Sequence, residues 1–282
     1  MLSFLPPEIT DAGTTILLRK FKLYHYRTTK SGCPTKLHAV LRYSCKSEDR
    51  SILASTSKTA PNRGVIHPFD RKNGTDTSGY LGPEELVNGR TNDALNHGYS
   101  AIAPSVFHEA CNHWRETLPV VSGRVEAYSF VDVGAGKGRA LLLAAELPFR
   151  KVIGVELSEE LSRIAQKNVA RWTRVTRPKA KIRVVHGDAT KFRWPRTPLL
   201  VYLYNPFACT LVAQMAESLA AAGASGSGLV DLLYVNPTCT DTLTSQGFFV
   251  RLWTARIPMN EADQKADPYG TTSDLVSAYR LK

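Results

Sequence analysis

The stretch Phe130–Glu146, "FVDVGAGKGRALLLAAE", decides how the chain is read: an apolar run ends in three alternate glycines that open onto an alanine- and leucine-rich segment. A buried strand passes here into a helix through a loop that carries no side chain at Gly134, Gly136 and Gly138, so backbone can approach a ligand closely. Two familiar glycine loops do not fit. A dinucleotide fingerprint, G-x-G-x-x-G, needs a third glycine where Arg139 stands. A phosphate-binding loop needs a glycine at Val131 and a Ser or Thr at Gly138. What remains is acid-x-Gly-x-Gly-x-Gly directly after a strand, with Asp132 placed to attract a cation.

Outward from the loop, short apolar runs alternate with helical patterns from about Tyr128 onward, which predicts β-α units around a mostly parallel sheet. The strands are read at "YSFVDVG", "KVIGVEL", "KIRVVHG", "LLVYLYN", "VDLLYVN", "FFVRLWTARI" and "DLVSAYRL". A buried helix is expected over Arg139–Leu147, stopped by Pro148. A second starts at the cap Ser158, carries Glu159 and Glu160 at its positive end, and keeps Leu161, Ile164, Ala165 and Trp172 on one face. Others are expected near Thr210–Ala222 and Thr240–Gln246. Upstream, "AIAPSVFHEACNHWRETL" reads as a helix and "HPFDRKNGTDTSGYLGPEELVNGR" as loop, while residues 1 to about 60 read as a basic amphipathic segment or a small β element.

With 282 residues, 43% hydrophobic and 22% charged, the chain has room for one large domain and an extension. The N-terminus lacks a basic region before its apolar residues, and no run of about 18 apolar residues occurs, so a cytoplasmic protein without membrane contact is expected. Cys33, Cys45, Cys111, Cys209 and Cys239 are odd in number and widely spaced, with no C-x-x-C pair, and read as five reduced thiols. The net charge of +11 is concentrated partly in "LLRKFKLYHYRTTK" and partly in "RWTRVTRPKAKIR", read as solvated basic surface because neither contains a nucleic-acid motif. His67, His97 and His186 show neither metal spacing nor a triad and read as structural or solvent-facing, and no metal site is expected.

From Tyr128 to Lys282 the sequence resembles the class I, Rossmann-like S-adenosylmethionine-dependent methyltransferases. The resemblance implies an open, mostly parallel seven-stranded α/β sheet with helices on both faces. It divides the chain into an N-terminal extension, 1–125, covering the cofactor pocket, and a cofactor-binding domain, 126–282. "VDVGAGKGR" is similar to the first motif, which makes Asp132, Gly134, Gly136 and Gly138 cofactor residues. "VIGVELS" places Glu156, followed by Leu157, where a carboxylate accepts both ribose hydroxyls. "VVHGDAT" places Asp188 and Ala189 at the adenine.

"YLYNPF" stands where the family's fourth motif lies, beside the methyl group, and implies Asn205, Pro206 and Phe207 as methyl-site residues, with Asn205 also at the cofactor. Its single proline departs from the Asp/Asn-Pro-Pro-aromatic tetrad of nucleic-acid amino-methylating relatives, and it is nearer to the non-SET histone-lysine enzymes. The alternative reading of these residues makes Asn205 a helix cap and Phe207 a packing residue. "FDRKNGTDTSGY" resembles a segment lying over the cofactor in some small bacterial methyltransferases, which adds Asp76, Thr77 and Tyr99 as pocket residues against a reading as surface turn. Lys137 and Arg139 are read as solvent-facing or as partners of a cofactor carboxylate. The expected function is methyl transfer to a small-molecule or protein acceptor, lysine included. The alternatives are a nucleic-acid methyltransferase, favoured by the charge, and a non-catalytic S-adenosylmethionine-binding regulator.

Overall fold

The computed structural model describes residues 64–282 apart from 88, 90–92, 120–122, 179 and 227. The expectations for residues 1–60, with Cys33 and Cys45, lie outside the described residues. In chain order the elements are α1 (Pro68–Asn73), β1 (Tyr80–Leu81), β2 (Tyr99–Ser100), α2 (Pro104–Glu116), β3 (Ser129–Val133), α3 (Arg139–Ala144), β4 (Lys151–Glu156), α4 (Glu159–Thr176), β5 (Ile182–His186), β6 (Leu199–Tyr204), α5 (Cys209–Ser225), β7 (Val230–Val235), α6 (Thr240–Ser245), β8 (Phe249–Pro258), α7 (Glu261–Ala266) and β9 (Ser273–Leu281). Short 3-10 turns cover Pro83–Leu86, Asp93–Leu95, Val125–Ala127 and Ala189–Lys191.

All seven strands expected from the sequence are present in one sheet of order β5-β4-β3-β6-β7-β9-β8. Pairing is parallel from β5 to β7, and β9 runs antiparallel to both β7 and β8. β3, β6 and β7 are buried along nearly their whole length, as strands with helices on both faces must be. Alternate residues point to opposite layers. Phe130, Leu200, Tyr202 and Leu233 join Phe107, Trp114 and Leu141 under α2 and α3, while Val131, Val133, Val201 and Leu203 join Leu211, Val212, Met215 and Leu219 under α5.

The main helices form where the periodicity places them, with one early stop. α4 begins at the Ser158 cap, whose hydroxyl accepts from Leu161 N–H, and runs to Thr176. α3 ends at Ala144, short of the expected Leu147. The "HPFDRKNGTDTSG" stretch is not all loop. Pro68 at the first helical turn, the His67 ring as N-cap and Gly74 at φ 63° after the last turn enclose the short helix α1. The described elements before β3 belong to the same compact unit as the sheet.

β3 lies at the switch point, with β4 and β5 on one side and β6 and β7 on the other. Open α/β sheets bind ligands beyond the carboxyl ends of the strands at such a point.

Candidate active site

The glycine loop leaves β3 at this switch point. Gly134, Gly136 and Gly138 adopt φ of 76°, 53° and 89°, in the left-handed region that side chains other than glycine's rarely enter. Two of them are also demanded by space. A Cβ on Gly134 would stand 2.7 Å from Pro206 Cβ, and one on Gly136 would stand 2.3 Å from Tyr99 Cε2. Gly138 serves helix packing instead, since it precedes α3 and a Cβ there would touch Ala165 of α4 at 3.2 Å.

Beyond the strand ends lies a cleft of about 830 Å³, counting its open side. Gly134 and Gly136 form part of its wall, with Glu156 and Leu157 after β4, Asp188 and Ala189 after β5, and Pro206 and Phe207 after β6. With Tyr99, nine of the pocket residues singled out from the sequence therefore meet at one cavity. Asp132, Gly138 and Asn205 do not line it.

Glu156 is buried, and both its oxygens are oriented by backbone: Gly136 N–H donates to Oε2 at 2.7 Å and Ser158 N–H to Oε1 at 2.7 Å. Burial raises its pKa, and these N–H groups oppose the rise. Asp132 lies 3% exposed behind the loop, where burial first and the Glu156 charge second push its carboxyl up to about 8. Asp188 turns one oxygen onto Thr190, accepting from its N–H at 2.9 Å and its hydroxyl at 2.7 Å.

Asn205 takes a left-handed turn at φ 42°, a conformation asparagine tolerates better than most residues. Its Oδ1 accepts from the Tyr234 hydroxyl at 3.0 Å and from the Thr238 hydroxyl at 2.9 Å. It does not cap α5, whose N-cap is Ala208. Phe207 is 5% exposed, packed into the α5 layer with one side on the cleft.

The segment before β2 supplies the other wall, which sequence reasoning found only at Tyr99. Leu95, Asn96 and His97 lie antiparallel along Pro206–Ala208: Ala208 N–H donates to Leu95 O at 2.8 Å, His97 N–H to Pro206 O at 3.0 Å, and Asn96 bridges Phe207. The His97 ring adds a contact of 2.7 Å between Nδ1 and Asn205 O. Tyr99 donates to Thr77 O at 2.7 Å and sets its ring against Gly136.

Asp76 and Thr77 do not line the cleft; they build the clasp behind it. Asp76 pairs with Lys137 at 3.0 Å. Thr77 is buried, donating to Asp70 Oδ1 at 2.7 Å and accepting from Arg139 Nε at 2.7 Å. Arg139 is not solvent-facing: it is 5% exposed and paired with the buried Asp70. His67 is structural as read, donating to Asp263 Oδ1 across 2.9 Å while Nδ1 accepts from Phe69 N–H.

The cysteine reading needs correction. Cys209 and Cys239 form a disulfide joining the start of α5 to the N-cap of α6, and Cys111 is a free, buried thiol. The sheet places the ends of β6 and β7 side by side, which brings together two cysteines 30 residues apart in sequence. Among the described residues no helix is long and apolar enough to cross a membrane, and no group of three or more His, Cys, Asp or Glu could hold a metal ion.

A family model described as "Methyltransferase domain" matches residues 130–223, from β3 nearly to the end of α5. Solved structures of similar fold include the magnesium protoporphyrin IX methyltransferase of Synechocystis with bound SAM, 13% identical, covering 61% of this chain and 78% of that one at a TM-score of 0.41. The tRNA methyltransferase TrmK of B. subtilis is 11% identical, covering 64% of this chain and 67% of that one at a TM-score of 0.44. TrmN of Thermus thermophilus is 15% identical, covering 64% and 49% at a TM-score of 0.42. No curated protein matches the chain. The domain match and the sheet order agree with a class I, Rossmann-like methyltransferase fold. Methyltransferases of that family use S-adenosylmethionine as methyl donor.

The residues present suit that donor. Side-chain-free backbone at Gly134 and Gly136 and the Glu156 carboxylate line one cleft. Glu156→Ala is expected to weaken S-adenosylmethionine binding by about 1.5–3 kcal/mol, the worth of hydrogen bonds to a charged group, with the fold retained. Calorimetric titration checks this, and unchanged affinity in a folded variant removes Glu156 from the ribose.

Proposed function

We propose that the chain methylates a small molecule or a protein side chain, lysine among them, that enters beside Pro206 and Phe207. The observation that supports this most is the convergence of four strand-end segments on one cleft whose other wall includes Leu86 and the Asn96–Ser100 segment. S-adenosylmethionine supplies an activated methyl group on a sulfonium. Glu156 accepts the ribose hydroxyls, Asp188 and Ala189 hold the adenine, and the Gly134–Gly138 loop passes under the methionine part. Asn205 acts by position: held by Tyr234 and Thr238, it fixes the turn that presents Pro206 and Phe207 to the acceptor. Catalysis then rests on in-line placement and exclusion of water.

In this reading Asp132, buried behind the loop, meets the ammonium of the cofactor through water. Its carboxyl, raised to about 8 from an ordinary 3.8, keeps its proton in the folded chain where the unfolded chain has lost it. The stability this contributes is full below the ordinary value and is lost as pH rises through about 8. A cation bound beside it favours ionisation, so binding should release a proton and tighten as pH rises from about 6 to 8. Calorimetry in buffers of different ionisation enthalpy reads the proton count. The release should vanish in Asp132→Asn, and binding without proton release in the parent chain would place the ammonium elsewhere.

A nucleic-acid acceptor is the second reading, favoured by Arg163, Lys167, Arg171 and Arg174, exposed along α4. None of these lines the cleft, so the first reading is preferred. Incubation with methyl-labelled S-adenosylmethionine and fractionated cell extract tests both. Label in small molecules or protein supports the first, label in nucleic acid supports the second, and cofactor binding with no label in any fraction supports a non-catalytic regulator.

A further inference from the structure

We propose that His97 is the general base that removes the acceptor's proton. The inference rests on the methyl-transfer reading and adds a residue that the sequence offered only as structural or solvent-facing. Its first support is the tautomer. His97 Nδ1 lies 2.7 Å from Asn205 O, and a carbonyl oxygen can only accept, so Nδ1 carries the hydrogen. In the neutral ring Nε2 then holds the lone pair. An imidazole fixed through one nitrogen by an acceptor, with the other nitrogen free to take a proton, is the arrangement that makes histidine a directed base.

The second support is placement. His97 lines the cleft, and among the described residues no hydrogen bond to its Nε2 is found. Its backbone N–H donates to Pro206 O, so backbone and ring together fasten it to the turn that carries Pro206 and Phe207. The other titratable groups of the cleft are otherwise engaged. Both Glu156 oxygens accept from backbone, Asp188 accepts from Thr190, and Tyr99 donates its hydroxyl to Thr77 O. Burial raises the pKa of Tyr99 and of Tyr204, which makes each phenolate a poor candidate for the base.

The acceptor class follows: a nucleophile that must lose a proton, a hydroxyl or an amine that arrives protonated. The proton leaves before attack for an ammonium and during attack for a hydroxyl. As the acceptor's lone pair bonds to the methyl carbon, the carbon–sulfur bond breaks with both electrons left on sulfur. The acceptor's proton passes to His97 Nε2 and from there to solvent.

His97→Asn separates base from clamp, because an amide N–H can still donate to Asn205 O while no basic nitrogen remains. Cofactor affinity and melting temperature should stay at their parent values. Label transfer from methyl-labelled S-adenosylmethionine to the extract fraction that accepts it should fall at least about a hundredfold. Added imidazole should restore part of the rate in His97→Ala. Nitrogen NMR of the unliganded parent chain should show the Nδ1–H tautomer at His97, a readout independent of turnover. Parent-level transfer by His97→Asn, or an Nε2–H tautomer, overturns the inference alone. A parent chain that binds no S-adenosylmethionine overturns the methyl-transfer reading and this inference together.

Discussion

Gly136→Val is expected to abolish S-adenosylmethionine binding, raising Kd by on the order of a hundredfold or more, about 3 kcal/mol. Three effects add. Any side chain at φ 53° enters a region that costs an L-residue roughly 1–2 kcal/mol. The first added carbon would stand 2.3 Å from Tyr99 Cε2, and Tyr99 cannot yield freely because its hydroxyl is bonded to Thr77 O. Moving the loop away from that clash pulls Gly136 N–H from Glu156 and disturbs the carboxylate proposed to accept the ribose hydroxyls. Circular dichroism establishes that the variant is folded, and calorimetry then reads binding. A folded Gly136→Val chain with parent affinity would mean that this loop is not the floor of the cofactor pocket.

Asp70→Ala should cost about 3–5 kcal/mol of stability, because it strands a buried cation. Asp70 is 2% exposed and accepts from Thr75, Thr77 and Ser78 as well as from Arg139, itself 5% exposed. Burial alone would raise its pKa, yet the three hydroxyls and the Arg139 charge hold the carboxyl below its ordinary range. A depressed pKa contributes stability that is present above the ordinary value and lost as pH falls through the folded one. Acidification below about pH 4 should therefore narrow the gap between parent and variant. Urea unfolding measures both. The double change Asp70→Ala with Arg139→Met should recover part of the loss by removing the stranded charge, and a single variant within about 1 kcal/mol of the parent would show that the pair carries little.

The centre of the sheet was legible because β3, β6 and β7 are short apolar runs rich in Val, Leu and Tyr, buried on both faces, and such runs announce themselves without long-range information. The motif ends that line the cleft were legible for a related reason: each lies at the end of a strand whose position the pattern already marked. Contacts made by backbone were not. Leu95, Asn96 and His97 meet Pro206–Ala208 through main-chain hydrogen bonds that leave no side-chain pattern, so His97 carried no sequence signal beyond its identity. Arg139 was misplaced because its partner stands 69 residues upstream in a stretch that reads as turn. That stretch concealed α1, whose six residues, PFDRKN, are too few and too polar to show a periodicity. α7, EADQKA, was missed for the same reason, although Asn260 caps it and Asp263 receives His67.

The bond between Cys209 and Cys239 acts on the chain that has not yet folded. It closes a ring that holds α5 and β7, with 30 residues of sequence separation. A cross-link of that span removes conformations from the unfolded ensemble worth about 3–4 kcal/mol in the chain-entropy account, without adding a contact to the folded state. Thiol-reducing compartments do not sustain such bonds, whereas oxidising ones do. The same sequence therefore possesses two unfolding equilibria, and its surroundings select between them.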